Sequence, residues 1–347
     1  MAVRPESSSF NAGPPRSDRR GGVSGWLARL ALASFATVMS AGDRRASILI
    51  FHRVTREPDP LFPDEMHAAR FDAVMSMLAS NFNVVRLGEL PDRLARQTVP
   101  RRAVSITFDD GYADNYTVAC PILKRHGLHA TFFVASGFLD GGVMWNDEVI
   151  AALRGCRLPE LDLAWLGLGR VALGPAAARR DAIESILRKL KYLSLAQRRE
   201  TLDRLWSQAG GAPPRDLMLS TEQLRALRSE GMDIGGHTKA HPILAVLSAS
   251  EAEEQIVGDR TRLTNLLGEA PRLFAYPNGK PGADYARSHV DLVRNAGYEA
   301  AFSTAPGSAG RDSDLFQLPR FTPWDSQPSR FAFRLAHNAL RRNAAKV

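Results

Sequence analysis

The chain has 347 residues, of which 44% are hydrophobic and 24% are charged, a globular composition with ample material for the core of a large α/β domain. Its net charge of +8 lies at the ends: residues 1–46 carry +4 and residues 330–347 carry +5, which leaves −1 for residues 47–329. A near-neutral body excludes a basic nucleic-acid groove, so we interpret the tails as solvated or as contacts with a membrane surface. Non-specific binding of nucleic acid by the tails is the weaker alternative.

The N-terminal segment and the cysteines bear on where the chain works. Residues 1–24 are rich in Ser, Pro, Gly and Arg, which predicts disorder. Residues 26–41 are apolar, but Arg29 interrupts them and the run is too short to span a bilayer, so we favour an amphipathic helix over a signal peptide. Cys120 and Cys156 form no CxxC motif or disulfide framework, which suits a reducing compartment. We therefore expect the cytoplasm, with contact to a membrane surface, rather than the cell envelope.

From residue 47 onward, strand and helix patterns alternate. Apolar runs predict strands, and four apolar residues at i, i+3, i+4 and i+7 between Phe71 and Leu78 predict an amphipathic helix. Gly127 is placed to cap the end of the next helix. In chain order the elements are a strand at 47–51, a helix at 68–80, a strand at 83–87, a strand at 103–108, a helix at about 113–126 and a strand at 130–134.

Residues 150–215 break this alternation. Helical patterns around Ile183–Leu190 and Leu202–Trp206 precede Pro213 and Pro214, which predicts a helical insertion. An insertion in a βα loop can shape a substrate cleft or serve packing alone, and the sequence leaves both interpretations open.

The alternation resumes at Ser220, where the first of two capping boxes marks the start of a helix. Ser220 with Gln223 and Ser248 with Glu251 have the spacing of this motif. The remaining elements are strands at 232–235, 272–276 and 298–303 and a helix at 284–296. Strand–helix alternation over residues 47–329 predicts a parallel α/β barrel, in which the chemistry lies where strands end and loops begin.

Two polar clusters follow predicted strands. Asp109 and Asp110 end the strand at 103–108, so one carboxylate can bind a metal while the other handles a proton, although a solvated Asp-Asp-Gly turn is the alternative. His237 and His241 follow the strand at 232–235, and their spacing places both imidazoles on one face of a helical turn. With Asp110 they would supply the three protein ligands of an open catalytic metal site.

The Thr-Phe-Asp-Asp-Gly motif at 107–111, followed by His-Thr-x-x-His at 237–241, resembles the polysaccharide deacetylase family, carbohydrate esterase family 4. The opening segment Ile50–Val54 is also similar to the first strand of many members, and the likeness covers about 47–150 and 216–325. It implies a deformed (β/α)7 TIM-like barrel and hydrolytic removal of acetyl groups from an N-acetylated sugar polymer. By this resemblance Asp109 is the general base, and Asp110, His237 and His241 bind one divalent ion, for which Zn²⁺ is favoured.

The general acid and the partner of Asp109 depart from the common family pattern. One branch, resembling the poly-N-acetylglucosamine deacetylases, uses a histidine on the first strand, and His52 fits that arrangement. The alternative is His337 in a Leu-x-His sequence, which we interpret as accidental. Ala275 stands where the family has an arginine, so we expect Arg320 to orient Asp109 instead. The backbone N–H of Tyr112 is the expected donor to the oxyanion.

Candidate substrate residues are mostly aromatic. Tyr276, Trp145 and Trp324 are suited to stacking on sugar rings, with core packing as an equal alternative. Asp147 follows Trp145 in a loop, where it contacts substrate or caps a helix.

The resulting functional hypothesis is a metal-dependent hydrolase that removes N-acetyl groups from a glycan of the N-acetylglucosamine type. A hydrolase of a small cyclic amide or ureide on the same fold is one alternative, and a non-catalytic glycan-binding protein is the other. An open cleft would favour the glycan, whereas a pocket closed by residues 150–215 would favour the small molecule.

Overall fold

A single curled sheet of seven parallel strands forms the centre of the molecule in the computed structural model, which describes residues 44–322, 328–342 and 344–347. Its order is β1-β3-β4-β7-β8-β9, and β2 pairs with the first residues of β3. The strands are β1 Ala46–Phe51, β2 Asn83–Val84, β3 Ala103–Phe108, β4 Ala130–Val134, β7 Asp233–Gly236, β8 Leu273–Ala275 and β9 Ala300–Phe302, and a separate antiparallel pair comprises β5 Glu160–Asp162 and β6 Arg170–Ala172.

Helices surround this sheet in the described part of the chain. They are α1 Ala68–Asn81, α2 Leu90–Ala95, α3 Cys120–Arg125, α4 Trp145–Gly155, α5 Ala176–Leu190, α6 Leu195–Ala209, α7 Thr221–Ser229, α8 Ala249–Leu267, α9 Arg287–Asn295 and α10 Pro328–Ala339. Both predicted capping boxes are present, at the starts of α7 and α8. The parallel sheet with its helices confirms the predicted deformed α/β barrel.

Strand register brings polar residues from distant parts of the sequence to one rim. Phe51 pairs with Phe108, and the backbone N–H of Asp109 donates to the Phe51 carbonyl at 2.9 Å. His52 therefore follows its strand at the same level as Asp109. Gly236 pairs with Val134, so His237 follows its strand at this rim as well. The carboxyl ends of the strands thus form the site-bearing end of the barrel.

Residues 318–321 join the two edges of the curled sheet. Leu318 forms a parallel bridge with Phe302 of β9, and Phe321 forms a parallel bridge with Leu49 of β1. Backbone hydrogen bonds between Phe321 and β1, at 2.7 and 3.0 Å, hold this closure. It places Arg320 between the edge strands, at the level of the site.

The hydrophobic core lies between the sheet and the helices. Every residue of β1, β3 and β4 is buried, and the Phe108 and Phe132 rings stack with centroids 4.8 Å apart. The apolar face predicted for the first helix is also buried in α1, from Phe71 to Leu78. Burial on this scale, at roughly 25 cal/mol per Å² of apolar surface, is the main stabilising term for such a barrel.

The insertion has its own core, as its helical patterns predict. Ile183 and Ile186 of α5 pack with Leu202 and Leu205 of α6 and with apolar residues of α4. The β5–β6 hairpin, absent from the sequence prediction, completes this unit. Because Leu61 belongs to the same cluster, the insertion is packed on the loop that follows β1.

The helix expected at about 113–126 has the predicted extent: it starts at Ala113, passes through a π-helix, Asn115–Ala119, and continues as α3, where Pro121 offers no backbone donor. Two other predicted boundaries were wrong for local reasons. The strand expected at 83–87 is only β2, because a 3-10 turn already begins at Leu87. The helix expected at 284–296 is the shorter α9.

The predictions for the two ends of the chain compare differently with the structure. The amphipathic helix expected at 26–41 lies outside the described residues. For residues 330–347 a basic helix or tail was expected, solvated or in contact with a membrane surface. The helix is present as α10, but a solvated helix was the wrong expectation, because Phe331 and Leu335 are buried and the helix packs on β1 and α1. Within the described ranges, no helix is both long enough and apolar enough to cross a bilayer.

Candidate metal and active site

Asp109 and Asp110 end β3 with both carboxylates buried at the rim. Consecutive residues of a strand point to opposite faces. Here Asp110 adopts a left-handed backbone with φ +78°, and Gly111 follows at φ +88°. A Cβ on Gly111 would lie 2.9 Å from Val134 Cγ1, so both the conformation and the space require glycine. This turn lets two neighbouring acids enter one site.

Asp109 forms a paired salt bridge with Arg320, as the sequence prediction requires. The Nη1 and Nη2 atoms of Arg320 donate to Oδ1 and Oδ2 of Asp109 at 2.6 and 2.7 Å, and Nε donates to the Ser303 carbonyl at 3.1 Å. Burial opposes the charge of Asp109, but Arg320 and then His237 leave its pKa below the ordinary value. The carboxylate is therefore ionised and fixed in orientation.

Asp110, His237 and His241 form a compact group with one ligand atom each, and these atoms lie within 4.8 Å of one another. The Nε2 atoms of His237 and His241 are 3.4 and 3.3 Å from Oδ1 of Asp110. Nδ1 of His237 donates to the Ala275 carbonyl at 2.7 Å, which leaves a lone pair on Nε2 facing the carboxylate.

The chemistry of these atoms fits a divalent cation. Oδ1 of Asp110 is buried and lacks a hydrogen-bond partner in the described residues. Burial lowers the pKa of His241 to about 4, so this imidazole is neutral near pH 7 and able to coordinate. Burial also opposes the charge of Asp110, yet the neighbouring imidazoles hold the pKa of Asp110 far below its ordinary value. An ionised carboxylate beside two imidazole nitrogens is a common zinc-binding set.

The two histidines are brought together by a loop, so the predicted helical turn was wrong. Thr238 and His241 have left-handed backbones, with φ of +64° and +50°, and residues 237–243 contain no helix. Gln255 of α8 holds this loop, because its carbonyl accepts from Lys239 N at 3.1 Å and its side chain from Ala240 N at 2.8 Å. The imidazole centroids are 4.8 Å apart.

Asp259 of α8 supports the site and was missed by the sequence analysis. Its carboxylate is fully buried and accepts from the backbone N–H groups of Ser136 and His237, at 3.1 and 3.0 Å. A signal was present, because Asp259 continues the buried helical face of Ala252, Ile256 and Leu263. An acid on the apolar face of a helix needs internal partners.

Gly236 lies where β7 meets this support. A Cβ at position 236 would come within 2.2 Å of Tyr298 Oη and 2.9 Å of Asp259 Oδ2. The backbone before His237 therefore approaches α8 more closely than any side chain would allow.

A cavity of about 270 Å³ opens in front of the metal-binding group and is lined by His52, Asp110, Tyr112 and Asp147 among others. The side chain of His52 is exposed there, while its carbonyl accepts from Asn115 Nδ2 at 2.7 Å. Asp114 accepts from Val54 N at 3.2 Å. These residues of the π-helix region fix the His52 loop and were not predicted.

Tyr112 and Asp147 form one wall of this cavity. Tyr112 Oη donates to Asp147 Oδ2 at 2.8 Å, and the Arg53 guanidinium lies 5.1 Å from the Tyr112 ring centroid. Burial raises the pKa of Asp147 to about 7, although the bond from Tyr112 opposes the shift. Asp147 thus reaches the site from the first turn of α4.

The remaining predicted residues lie elsewhere. Tyr276 is fully buried, stacks on Tyr285 with centroids 3.9 Å apart and donates to the Phe316 carbonyl, so the packing alternative describes it. Trp145 packs in the core of the insertion, with the guanidinium of Arg198 4.6 Å from its ring centroid. Trp324 lies outside the described residues, and His337 lines a different cavity.

Comparison with known proteins places these observations in context. A family model described as polysaccharide deacetylase matches residues 96–161 and 174–301, ranges that include Asp109, Asp110, His237 and His241 but neither His52 nor Arg320. The chain is 21% identical over 287 residues to the candidate polysaccharide deacetylase YxkH of Bacillus subtilis, covering 82% of this chain and 74% of YxkH.

Solved structures share the fold. IcaB from Ammonifex degensii superposes with a TM-score of 0.55 at 19% identity, covering 85% of this chain and 98% of IcaB. A de-N-acetylase from Aggregatibacter actinomycetemcomitans superposes with a TM-score of 0.52 at 17% identity, covering 80% of this chain and 94% of that one.

Proposed function

Because this chain belongs to the polysaccharide deacetylase family, we propose that it removes N-acetyl groups from a glycan of the N-acetylglucosamine type with the help of one divalent metal ion. The chain is accordingly a hydrolase. The observation that carries the proposal is the buried Asp109–Arg320 pair next to the group of Asp110, His237 and His241, of which Asp110 lines the cavity. The structural neighbour from Aggregatibacter, described as a de-N-acetylase, supports an acetamide as the scissile group.

Asp110, His237 and His241 would hold the metal ion, and we propose Zn²⁺ because two imidazoles and one carboxylate suit its preferences. When bound, such an ion polarises a carbonyl and lowers the pKa of a bound water.

Asp109 is the proposed general base. Arg320 occupies both carboxylate oxygens with parallel hydrogen bonds, yet each oxygen keeps a second lone pair that can accept a proton. The guanidinium keeps the carboxylate ionised, and therefore ready to take a proton from the attacking water, across the neutral pH range.

His52 is the proposed general acid, which delivers a proton to the departing amine. Its side chain lines the same cavity as Asp110, whereas His337 lines a separate one. The backbone N–H of Tyr112, two residues after Asp110, is the proposed donor to the developing oxyanion.

The cavity limits the size of the group that enters the site. Its volume of about 270 Å³ lies just below the range of roughly 300–1,000 Å³ for small-molecule sites. Residues of α4, including Asp147 and Ile150, close one side. We infer that one N-acetylated sugar unit is bound at a time. The same restriction favours a small cyclic amide or ureide as the second candidate substrate.

Acetate release from N-acetylglucosamine oligomers tests the proposed function. We expect purified protein to release acetate, a chelator to abolish the reaction and added Zn²⁺ to restore it. Stoichiometric metal with no acetate from any glycan would instead favour the small-amide substrate. Acetate release that is insensitive to metal removal would refute the metal-dependent mechanism.

His52→Gln tests the general acid. Because an amine leaves poorly without a proton, kcat/KM for the acetamide should fall about 100-fold or more. An aryl acetate ester, whose phenolate leaves unprotonated, should lose far less. His337→Gln is the matched control and should retain wild-type rates. A large loss in His337→Gln with none in His52→Gln would reverse the assignment.

A further inference from the structure

A second cavity, of about 430 Å³, lies beside the catalytic one and has a different chemical character. We refer to it as the basic cavity. Its lining includes Arg334, His337, Arg341, Thr304, Thr322 and Arg320. Arg334, Arg341 and His337 bring guanidinium and imidazole groups and Thr322 brings a hydroxyl, whereas Thr304 already donates to the Asn278 carbonyl and Arg320 to Asp109. No Asp or Glu belongs to the described lining. The catalytic cavity, in contrast, is lined by several carboxylates, including Asp59, Glu65 and Asp147.

Two of the basic residues share a helix face. Arg334 and His337 lie at i and i+3 of α10, and Arg341 follows the end of this helix and lines the same cavity. Phe331 and Leu335 of the same helix are buried in the core.

Hydrogen bonds fix the backbone from which these side chains project. Asn338 Nδ2 donates to the Gly307 carbonyl at 2.8 Å, and Ser308 N donates to the Arg341 carbonyl at 3.0 Å. The basic cavity is therefore held by the barrel itself.

The two cavities meet at the closure of the barrel. Thr322 lines both of them. Arg320 lines the basic cavity while its guanidinium binds Asp109, so the proposed general base is one side chain away. A substrate that places an acetamide in the catalytic cavity can place a neighbouring substituent in the basic cavity.

We propose that the basic cavity binds an anionic substituent, a phosphate ester or a carboxylate, of the N-acetylated glycan. The inference rests on the proposed deacetylase function and specifies its substrate class. Guanidinium groups donate paired hydrogen bonds to either kind of oxyanion, and the imidazole and hydroxyl donors complete the set. The selected substrate is then an N-acetylated sugar whose next substituent or unit is negatively charged.

Michaelis constants for three substrates test this inference: N,N′-diacetylchitobiose, its 1-phosphate, and a disaccharide of glucuronate and N-acetylglucosamine. We expect the full-length protein to show a KM about tenfold lower for one anionic substrate than for the neutral one, which corresponds to about 1.4 kcal/mol. The preferred anion identifies phosphate or carboxylate as the ligand.

Arg341→Gln should abolish this preference and leave kcat/KM for the neutral disaccharide unchanged. Arg342→Gln is the matched control, because it removes the same charge from the adjacent exposed position outside the cavity lining. Its preference should persist. Equal KM values for all three substrates in the wild type, or equal losses in the two variants, would overturn the anion site alone. No acetate from any substrate would overturn the deacetylase proposal, and the anion site with it.

Discussion

Asp109 and Asp110 are neighbours in sequence, but their carboxylates contact different groups. Asp109 faces a permanent cation, Arg320, and Asp110 faces two imidazoles. The left-handed backbone of Asp110 makes this division possible, because an extended residue would point away from the site. Residue types and spacing were enough to predict that both acids and both histidines lie together in one site. The backbone twist that unites them follows from tertiary packing and left no sequence signal beyond Gly111.

Asp147→Asn tests whether burial of the Asp147 carboxylate in the cavity wall lowers the stability of the protein. Burial raises the pKa of Asp147 from an ordinary value of 3.8 to about 7. The folded state therefore binds the proton more tightly than the unfolded state, and stability is lost as pH rises from about 4 to about 7. At about 1.4 kcal/mol per pH unit, this loss is on the order of 4 kcal/mol above pH 7. The asparagine avoids it and still accepts from Tyr112.

We therefore expect Asp147→Asn to raise the free energy of unfolding at pH 8 and to raise it less at pH 5. Urea titrations of metal-stripped protein at both pH values measure this difference. Asp64→Asn, at an exposed carboxylate of the same cavity, is the control and should change stability little, because solvent screens its charge. An Asp147→Asn protein that is no more stable than wild type at pH 8 would show that burial of the Asp147 charge does not destabilise the fold.

Helix α8 holds the loop from His237 to His241, the proposed metal-binding loop, in place. Asp259 binds the backbone of His237 and of Ser136, and Gln255 binds the loop between the two histidines. The residues that follow β4, the residues that follow β7 and the loop between the two histidines are thus all held by one helix. Ligand orientation by such indirect contacts commonly sets metal affinity.

Asp259→Asn tests this scaffold. One acceptor becomes an NH₂ group that cannot accept from a backbone N–H, so one buried hydrogen bond is lost. We expect the dissociation constant for Zn²⁺ to rise about 10- to 100-fold. Leu263→Ala, at a buried position one turn further along α8, is the control for lost stability. If Leu263→Ala weakens metal binding as much as Asp259→Asn, the effect is general destabilisation and the scaffold role is refuted.

Sequence patterns were most informative for elements whose signals are local. Both capping boxes and the buried face of α1 depend on neighbouring residues, and all three are present. The helical turn predicted from the His237–His241 spacing is absent, because Thr238 and His241 have positive φ and the segment forms a loop. This loop is stabilised by contacts with α8, such as the bond from Ala240 N to the Gln255 side chain 15 positions further on, and local propensity does not report such contacts.

The closure of the barrel determines the site at the scale of the whole molecule. Arg320 reaches Asp109 across 211 positions of sequence, and it does so because residues 318–321 bridge β9 to β1. Because Ala275 stands where the family has an arginine, another cation was expected to orient Asp109. The packing of α10 on β1 and the existence of the basic cavity could not be predicted, because both depend on how distant surfaces meet.

We propose that Asp109 transfers a proton beside a metal ion that it does not bind. Acetate release from an N-acetylglucosamine oligomer by Asp109→Asn, with the metal content of the same sample measured, tests this division of roles. We predict about one Zn²⁺ per chain, as in wild type, and a kcat/KM lowered about 100-fold or more. Wild-type acetate release by Asp109→Asn, or loss of the metal together with activity, would contradict this division of roles.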